Sequence, residues 1–177
     1  MTYSNTYDHY ECPCCNWNPL VTEYHARDDD TDNTLKHFRN LTTLDCGVNE
    51  NFTDNGFKHL PNLTTLDCGD NPNFTDNGFK HLPNLTTLSC NSTLTDEGLK
   101  HLPNLTTLNC DWCPTLTDEG LKHLPNLTTL HCNQNFTDEG LKHLPHLTTL
   151  YHGLNRNFTL DCLKHLPNLK IFKRYKE

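Results

Sequence analysis

Four soft ligands crowd the start of the chain: His9, Cys12, Cys14 and Cys15 fall within "HYECPCC". Thiolates and an imidazole at such spacing can hold a tetrahedral zinc ion. Paired C-x-x-C knuckles are absent, however, and Pro13 stiffens the middle of the segment. The bland alternative is a cap, with these cysteines and Trp17 covering the end of a core. Cys46, Cys68, Cys90, Cys110 and Cys132 recur at a regular interval and invite metal or redox chemistry. The same column is equally a run of small apolar core residues. Thiols in register on parallel strands would have their Cβ bonds side by side, a poor disulfide geometry. His37, His59, His81, His101, His123, His143 and His165 also recur in one place, as a metal stripe, a pH sensor, or packing copied by duplication. If partly buried and neutral, they make stability fall as the pH drops from about 7 to 5. No nucleophile elbow, phosphate loop or H-E-x-x-H motif is present. The acidic pair in "TDEG" is repeated in equal copies, whereas an active site needs one convergent constellation. The chain is therefore expected not to be an enzyme and to need no cofactor.

What positions these residues is a repeat. Taking the Leu that opens "LTTL" as first residue, units begin at Leu41, Leu63, Leu85, Leu105, Leu127 and Leu147, with a partial one at Leu169. The spacings are 22, 22, 20, 22, 20 and 22 residues, a solenoid period. Val21 to Asn40 fits one more unit, with Val21, Tyr24 and Ala26 in the apolar places. "LTTLxC" alternates and is rich in Thr, so it predicts a strand with Leu105, Leu108 and Cys110 inward and Thr107 and Asn109 outward. "TDEGLKHLP" predicts a short helix capped by Thr95 or Thr117, with acidic residues in the first turn and Leu99 and Leu102 on one face. Pro103 is expected to end it, and Gly98 to mark a close approach to a neighbour. One such coil cannot bury its apolar edge, but stacked coils can.

"LTTLDCGVN" and "LTTLHCNQN" match L-x-x-L-x-L-x-x-N with Cys in the third apolar place. On these words the chain resembles the leucine-rich repeat family from about Val21 to Lys176. "TDEGLKHLPNL" looks like the subgroup related to the repeats of F-box proteins. The near-verbatim copies, rich in Asn and Thr, are similar in style to the expanded repeats of amoebae and their large DNA viruses. The resemblance implies an α/β fold: a curved, right-handed leucine-rich-repeat solenoid with a parallel β-sheet on the concave face and short helices on the convex face. It also implies a protein-binding concave strip. By position count the family's Asn falls at Asn49 and Asn135, replaced by Thr93 and Cys113. Residues 1–20 are expected to form a cap, and 21–177 an array of about seven repeats plus a closing strand.

Recognition should lie where the copies disagree. The fifth strand position reads Asp45, Asp67, Ser89, Asn109, His131, Tyr151 and Lys173, drifting from acidic to basic. Asp28, Asp29, Asp30, Asp70 and Asp111 extend the acidic side, and Arg156 and Arg174 the basic one. A basic partner segment at the N-terminal half explains the drift; so does a solvated surface drifting freely. Trp112 stands in a column of Val48, Asp70, Ser92, Gln134 and Leu154, either as a binding anchor or packed on Pro114. Trp112, Tyr151 and His131 are expected to centre a protein-binding patch. The 177 residues carry a charge of −8 and are only 34% hydrophobic, which argues against a nucleic-acid or anionic-membrane binder. No apolar run could cross a membrane, and the first residues lack the signature of a signal peptide. A reduced, cytoplasmic monomer with a protein partner is the expectation; in the viral case the cytoplasm is the host's. The alternatives are a substrate-recognition subunit of a ubiquitin ligase without a recognisable F-box, and a metal-binding protein using the His9–Cys15 cluster.

Overall fold

Each "LTTLx" stretch supplies a three-residue strand made of its second Thr, the following Leu and the residue after it, because Thr favours extended backbone and only the central Leu must face inward. The strands are β1 Glu23–His25, β2 Thr43–Asp45, β3 Thr65–Asp67, β4 Thr87–Ser89, β5 Thr107–Asn109, β6 Thr129–His131, β7 Thr149–Tyr151 and β8 Ile171–Lys173. They form one parallel sheet in chain order. The computed structural model describes residues 20–69, 71–90 and 93–174. Register pairs Leu44, Leu66, Leu88, Leu108, Leu130 and Leu150 as successive neighbours, and all six are buried. Leu105, Leu108 and Cys110 face inward as expected, while Thr107 and Asn109 are half-exposed. The result is a right-handed, curved solenoid with its sheet on the concave face.

Opposite the sheet lie one-turn helices: α1 Asp32–Leu35, α2 Asp54–Phe57, α3 Asp76–Phe79, α4 Asp96–Leu99, α5 Asp118–Leu121 and α6 Asp138–Leu141. They are shorter than the nine-residue phrase suggests. α4 ends at Leu99, well before Pro103, and the chain then closes tight turns from His101 N–H to Gly98 O and from Leu102 N–H to Leu99 O. Those turns bury Leu99 and Leu102 together and turn the backbone toward the next strand. Thr95 and Thr117 cap their helices as expected, accepting from Glu97 and Glu119 N–H.

The acidic residue of the first turn does more than favour the helix dipole. Asp96 Oδ1 and Oδ2 accept from the N–H and hydroxyl of Thr117 in the next coil, at 2.9 and 2.6 Å. The same Asp–Thr rung joins every adjacent helix pair from Asp32–Thr53 to Asp138–Thr159. A second ladder runs along the strand starts, where Asn104 Nδ2 donates to Pro83 O and Asn126 Nδ2 to Pro103 O.

A third ladder is internal and corrects the position count. Asn49, Asn71, Asn133 and Asn155 are buried. Asn71 Nδ2 donates to Asn49 O and Phe52 O of the preceding coil, and Asn155 Nδ2 to Asn133 O and Phe136 O. The ladder residue thus stands three places before the buried aromatic, at Asn133 rather than Asn135. Cys113, three places before buried Leu116, does hold that place. Counted back from buried Leu94, the place falls at Asn91, not at Thr93, which makes Asn91 a residue outside those described. Units of 22 residues therefore carry two extra residues at the tip after the strand, and units of 20 lack them.

The first coil departs from the rest. Asp30 sits where later coils bury Phe52 or Phe74, and is itself buried, accepting from Tyr24 Oη at 2.6 Å and Arg27 N–H at 2.7 Å. It serves the core, so it does not add surface charge to the acidic end. At the other end Cys162 replaces the helix Gly, and the segment Leu160–His165 is a 3-10 helix. The residues of the expected N-terminal cap lie outside the described residues.

Candidate functional site

The strip facing the concave side has two outward ranks. One is nearly uniform: Thr43, Thr65, Thr87, Thr107, Thr129 and Thr149 in lateral register. The other is the variable rank His25, Asp45, Asp67, Ser89, Asn109, His131, Tyr151 and Lys173, also in register. Alternation in a short strand dictates this, since buried Leu at the centre turns both flanking residues outward.

Within the variable rank the aromatic residues meet. The His131 and Tyr151 rings stack at 4.3 Å with 29° between planes. Asn109 is the register neighbour of His131 on the other side. Desolvation between these neighbours holds the His131 imidazole below its ordinary value, while the Asp111 carboxylate works the other way. Because the folded value is depressed, the associated stability is present in full above the unfolded value, about 6.5. It is lost as the pH falls toward the folded value. His131→Asn should therefore shrink the loss of melting temperature between pH 7.5 and 5.5. Equal acid sensitivity of variant and parent would disprove a desolvated imidazole here.

The acidic end has a second duty that its charge conceals. Asp45 Oδ1 accepts from Gly47 N–H and Asp67 Oδ1 from Gly69 N–H, at 2.9 and 3.0 Å. Gly47 and Gly69 both have φ of +54°, so an Asp two residues before such a turn is ordinary turn chemistry. Asp45 Oδ2 also lies 3.0 Å from His25 Nδ1. Asp45 and Asp67 lie on β2 and β3, about 14 Å or more from His131 on β6 at the usual strand spacing. The expected site residues thus divide into an acidic stretch and an aromatic stretch rather than one pocket. Asp70 and the metal candidates His9, Cys12, Cys14 and Cys15 lie outside the described residues. Among the described residues no cluster of His, Cys, Asp or Glu is arranged to hold a metal ion.

Trp112 occupies the two-residue tip of its coil and is 83% exposed, so its indole does not pack onto Pro114. Gln134 and Ser92 belong to 20-residue coils and have no place in the tip column. Both coils flanking Trp112 are of this shorter kind. Val48 and Leu154, on other long tips, are 71% and 59% exposed. Unit length was the sequence signal for this apolar rim.

The recurrent histidines lie on the helical side, half-exposed or exposed. Desolvation, with the charges of Lys80 and Lys58 beside it, holds His81 below the ordinary imidazole value. The cysteine column is buried, and burial pushes the Cys132 thiol up to about 12.

No family model matches the chain, and neither does any curated protein. Solved structures do match. The functional domain of InlJ from Listeria monocytogenes, which includes a cysteine ladder, is 28% identical, with a TM-score of 0.66 over 87% of this chain and 34% of that one. Internalin C2 from Listeria monocytogenes is 27% identical, with a TM-score of 0.66 over 85% and 70%. TLR13, in complex with the RNA ssRNA13, is 20% identical, with a TM-score of 0.66 over 85% and 24%, and that likeness concerns fold alone. The chain spans about a quarter of TLR13 and a third of the InlJ domain. These matches and the eight-stranded sheet make the fold a leucine-rich-repeat solenoid. They lend no support to the F-box subgroup or to an amoebal or viral source.

Proposed function

We propose that the chain is a non-enzymatic scaffold that binds a protein partner along the concave strip, centred on His131 and Tyr151 and bordered by Trp112. The observation that carries this is the 83% exposed indole of Trp112, in the coil that immediately precedes the one bearing His131 of the stacked aromatic pair. Large aromatic side chains with a polar handle are the residues that most often dominate protein interfaces. The internalins and TLR13 share the scaffold, and scaffolds of this kind offer a continuous surface on which side chains vary independently of the core. Asp45 and Asp67 then favour a partner segment that is basic where it meets the N-terminal half. In this reading residues 1–20 cap the open edge at β1, and the monomer works in a reducing cytoplasm. No helix among the described residues is long and apolar enough to cross a membrane.

Affinity capture with wild type, with Trp112→Ala plus Tyr151→Ala, and with the helical-side control Lys122→Ala tests this. Partners held by wild type and the control should bind the double variant at least about tenfold more weakly. Equal capture by all three baits would refute the site.

A further inference from the structure

Two buried thiols of adjacent coils meet in the core. Cys90 Sγ and Cys113 Sγ are 2.7 Å apart, and Cys113 Sγ also lies 3.1 Å from the Cys90 carbonyl oxygen, to which it donates. Cys90 closes the inner edge of its coil after β4, whereas Cys113 holds the asparagine place of the following coil. Coming from different columns, the two escape the side-by-side geometry that makes neighbours within one column poor disulfide partners. Their separation exceeds a disulfide bond by only about 0.65 Å, a gap that side-chain torsion can close. Cys110, the other thiol of the coil, donates instead to His131 O at 3.2 Å.

We infer that Cys90 and Cys113 form an oxidative modification site, whose product is a disulfide stapling the coil that opens at Leu85 to the coil that opens at Leu105. This goes beyond the partner-binding reading and does not depend on it. The oxidant is a small disulfide of the glutathione class. One cysteine thiolate attacks it, forming a mixed disulfide and releasing one glutathione thiolate. The second cysteine thiolate attacks the mixed disulfide and releases the other. The two cysteines give up two electrons and two protons, and two glutathione thiols carry them away. Burial pushes the Cys90 thiol well up, so thiolate is scarce and the exchange is slow, quickening with pH. Trp112 directly precedes Cys113, so the staple anchors the base of the tip that carries the indole.

Folded full-length protein equilibrated with oxidised glutathione at pH 8, then alkylated, digested and mapped by mass spectrometry, tests the inference. A Cys90–Cys113 linked peptide is expected, with a melting temperature several degrees above that of reduced protein. Cys113→Asn installs the side chain that other coils use there, so it should fold with an unchanged circular-dichroism spectrum, form no link at Cys90, and melt alike with or without oxidant. The inference is overturned if Cys90 and Cys113 remain alkylatable at equilibrium. It is equally overturned if Cys90 links to Cys68 or Cys110, or if glutathione remains on either cysteine as a mixed disulfide.

Discussion

Asn133→Ala should destabilise the protein by about 2–5 kcal/mol, read as a lower urea midpoint at unchanged slope. Asn133 is buried and both ends of its amide are bonded. Nδ2 donates to Cys113 O at 2.5 Å and to Leu116 O at 3.2 Å, and Oδ1 accepts from Asn135 N–H at 2.8 Å. Alanine removes all three bonds at once, leaving Cys113 O with only Leu116 N–H at 3.3 Å and Leu116 O with only the longer contact from Asn135 Nδ2 at 3.5 Å. Three such bonds lost at about 0.5–1.5 kcal/mol each account for a cost in this range. The neighbouring coil shows what replacing this asparagine requires. There Cys113 donates to Cys90 O, and Thr115 Oγ1 donates to Leu94 O at 2.5 Å, so two residues divide the work of one amide. Asn133→Ala brings no second donor. Coils of a solenoid touch only their neighbours, so the damage should be local. Hydrogen exchange should speed first in β6, β7 and β8, and β2 and β3 should keep their protection. A loss below about 1 kcal/mol would mean that water replaces the amide and that the rung is ornamental.

Most of the fold was legible in the sequence because the same physics is written many times. The Leu and Cys columns state which residues face inward, and the Thr before "DEG" or "DNG" states where each helix begins. Register followed from stacking identical words. Three features were hidden, each for a physical reason. The Asp–Thr rungs join residues about 20 apart, and within one coil Asp already has a sufficient local explanation in the helix dipole. The ladder asparagine was misplaced at Asn135 because counting forward from the strand ignores a deletion at the tip, whereas counting back from buried Phe136 reaches Asn133. Asp30 was taken for surface charge because nothing in its neighbours announces that Tyr24 brings a hydroxyl into the core to meet it. The candidate site was less legible than the fold. The variable rank could be read off by alternation, and the stacking of His131 on Tyr151 follows from their register. That Asp45 and Asp67 also brace left-handed turns could have been found in the spacing "DCG", present in the long units that open at Leu41 and Leu63 and in no other unit. The identity of a partner is encoded in no repeated word, since repetition preserves what coils need from one another and not what they show to solvent.

A double-mutant cycle at Gly140 and Asp118 should reveal strong coupling between the two residues. An alanine in a helix ordinarily gains about 1 kcal/mol over glycine. At Gly140 a Cβ would fall 2.3 Å from Asp118 Oδ1 and 3.0 Å from Leu121 Cδ1. A free carboxylate would swing aside. This one is held by Thr137 N–H at 2.9 Å and by the Thr137 hydroxyl at 2.6 Å, so making room breaks bonds to a charged acceptor worth about 1.5–3 kcal/mol each. Gly140→Ala is therefore expected to cost roughly 1–3 kcal/mol net despite its better helix propensity. Asp118→Ala removes the rung and the obstacle together. In that background Gly140→Ala should be neutral or stabilising, giving a coupling energy of at least about 1 kcal/mol. The last full coil illustrates the same constraint from the other side. Cys162 brings a Cβ to the glycine place, and there the segment winds as a 3-10 helix while Asp138 keeps its bond to Thr159 N–H at 3.0 Å. Strictly additive effects, or a Gly140→Ala variant more stable than its parent, would show that the carboxylate yields without cost and that the helices are joined by apolar packing alone.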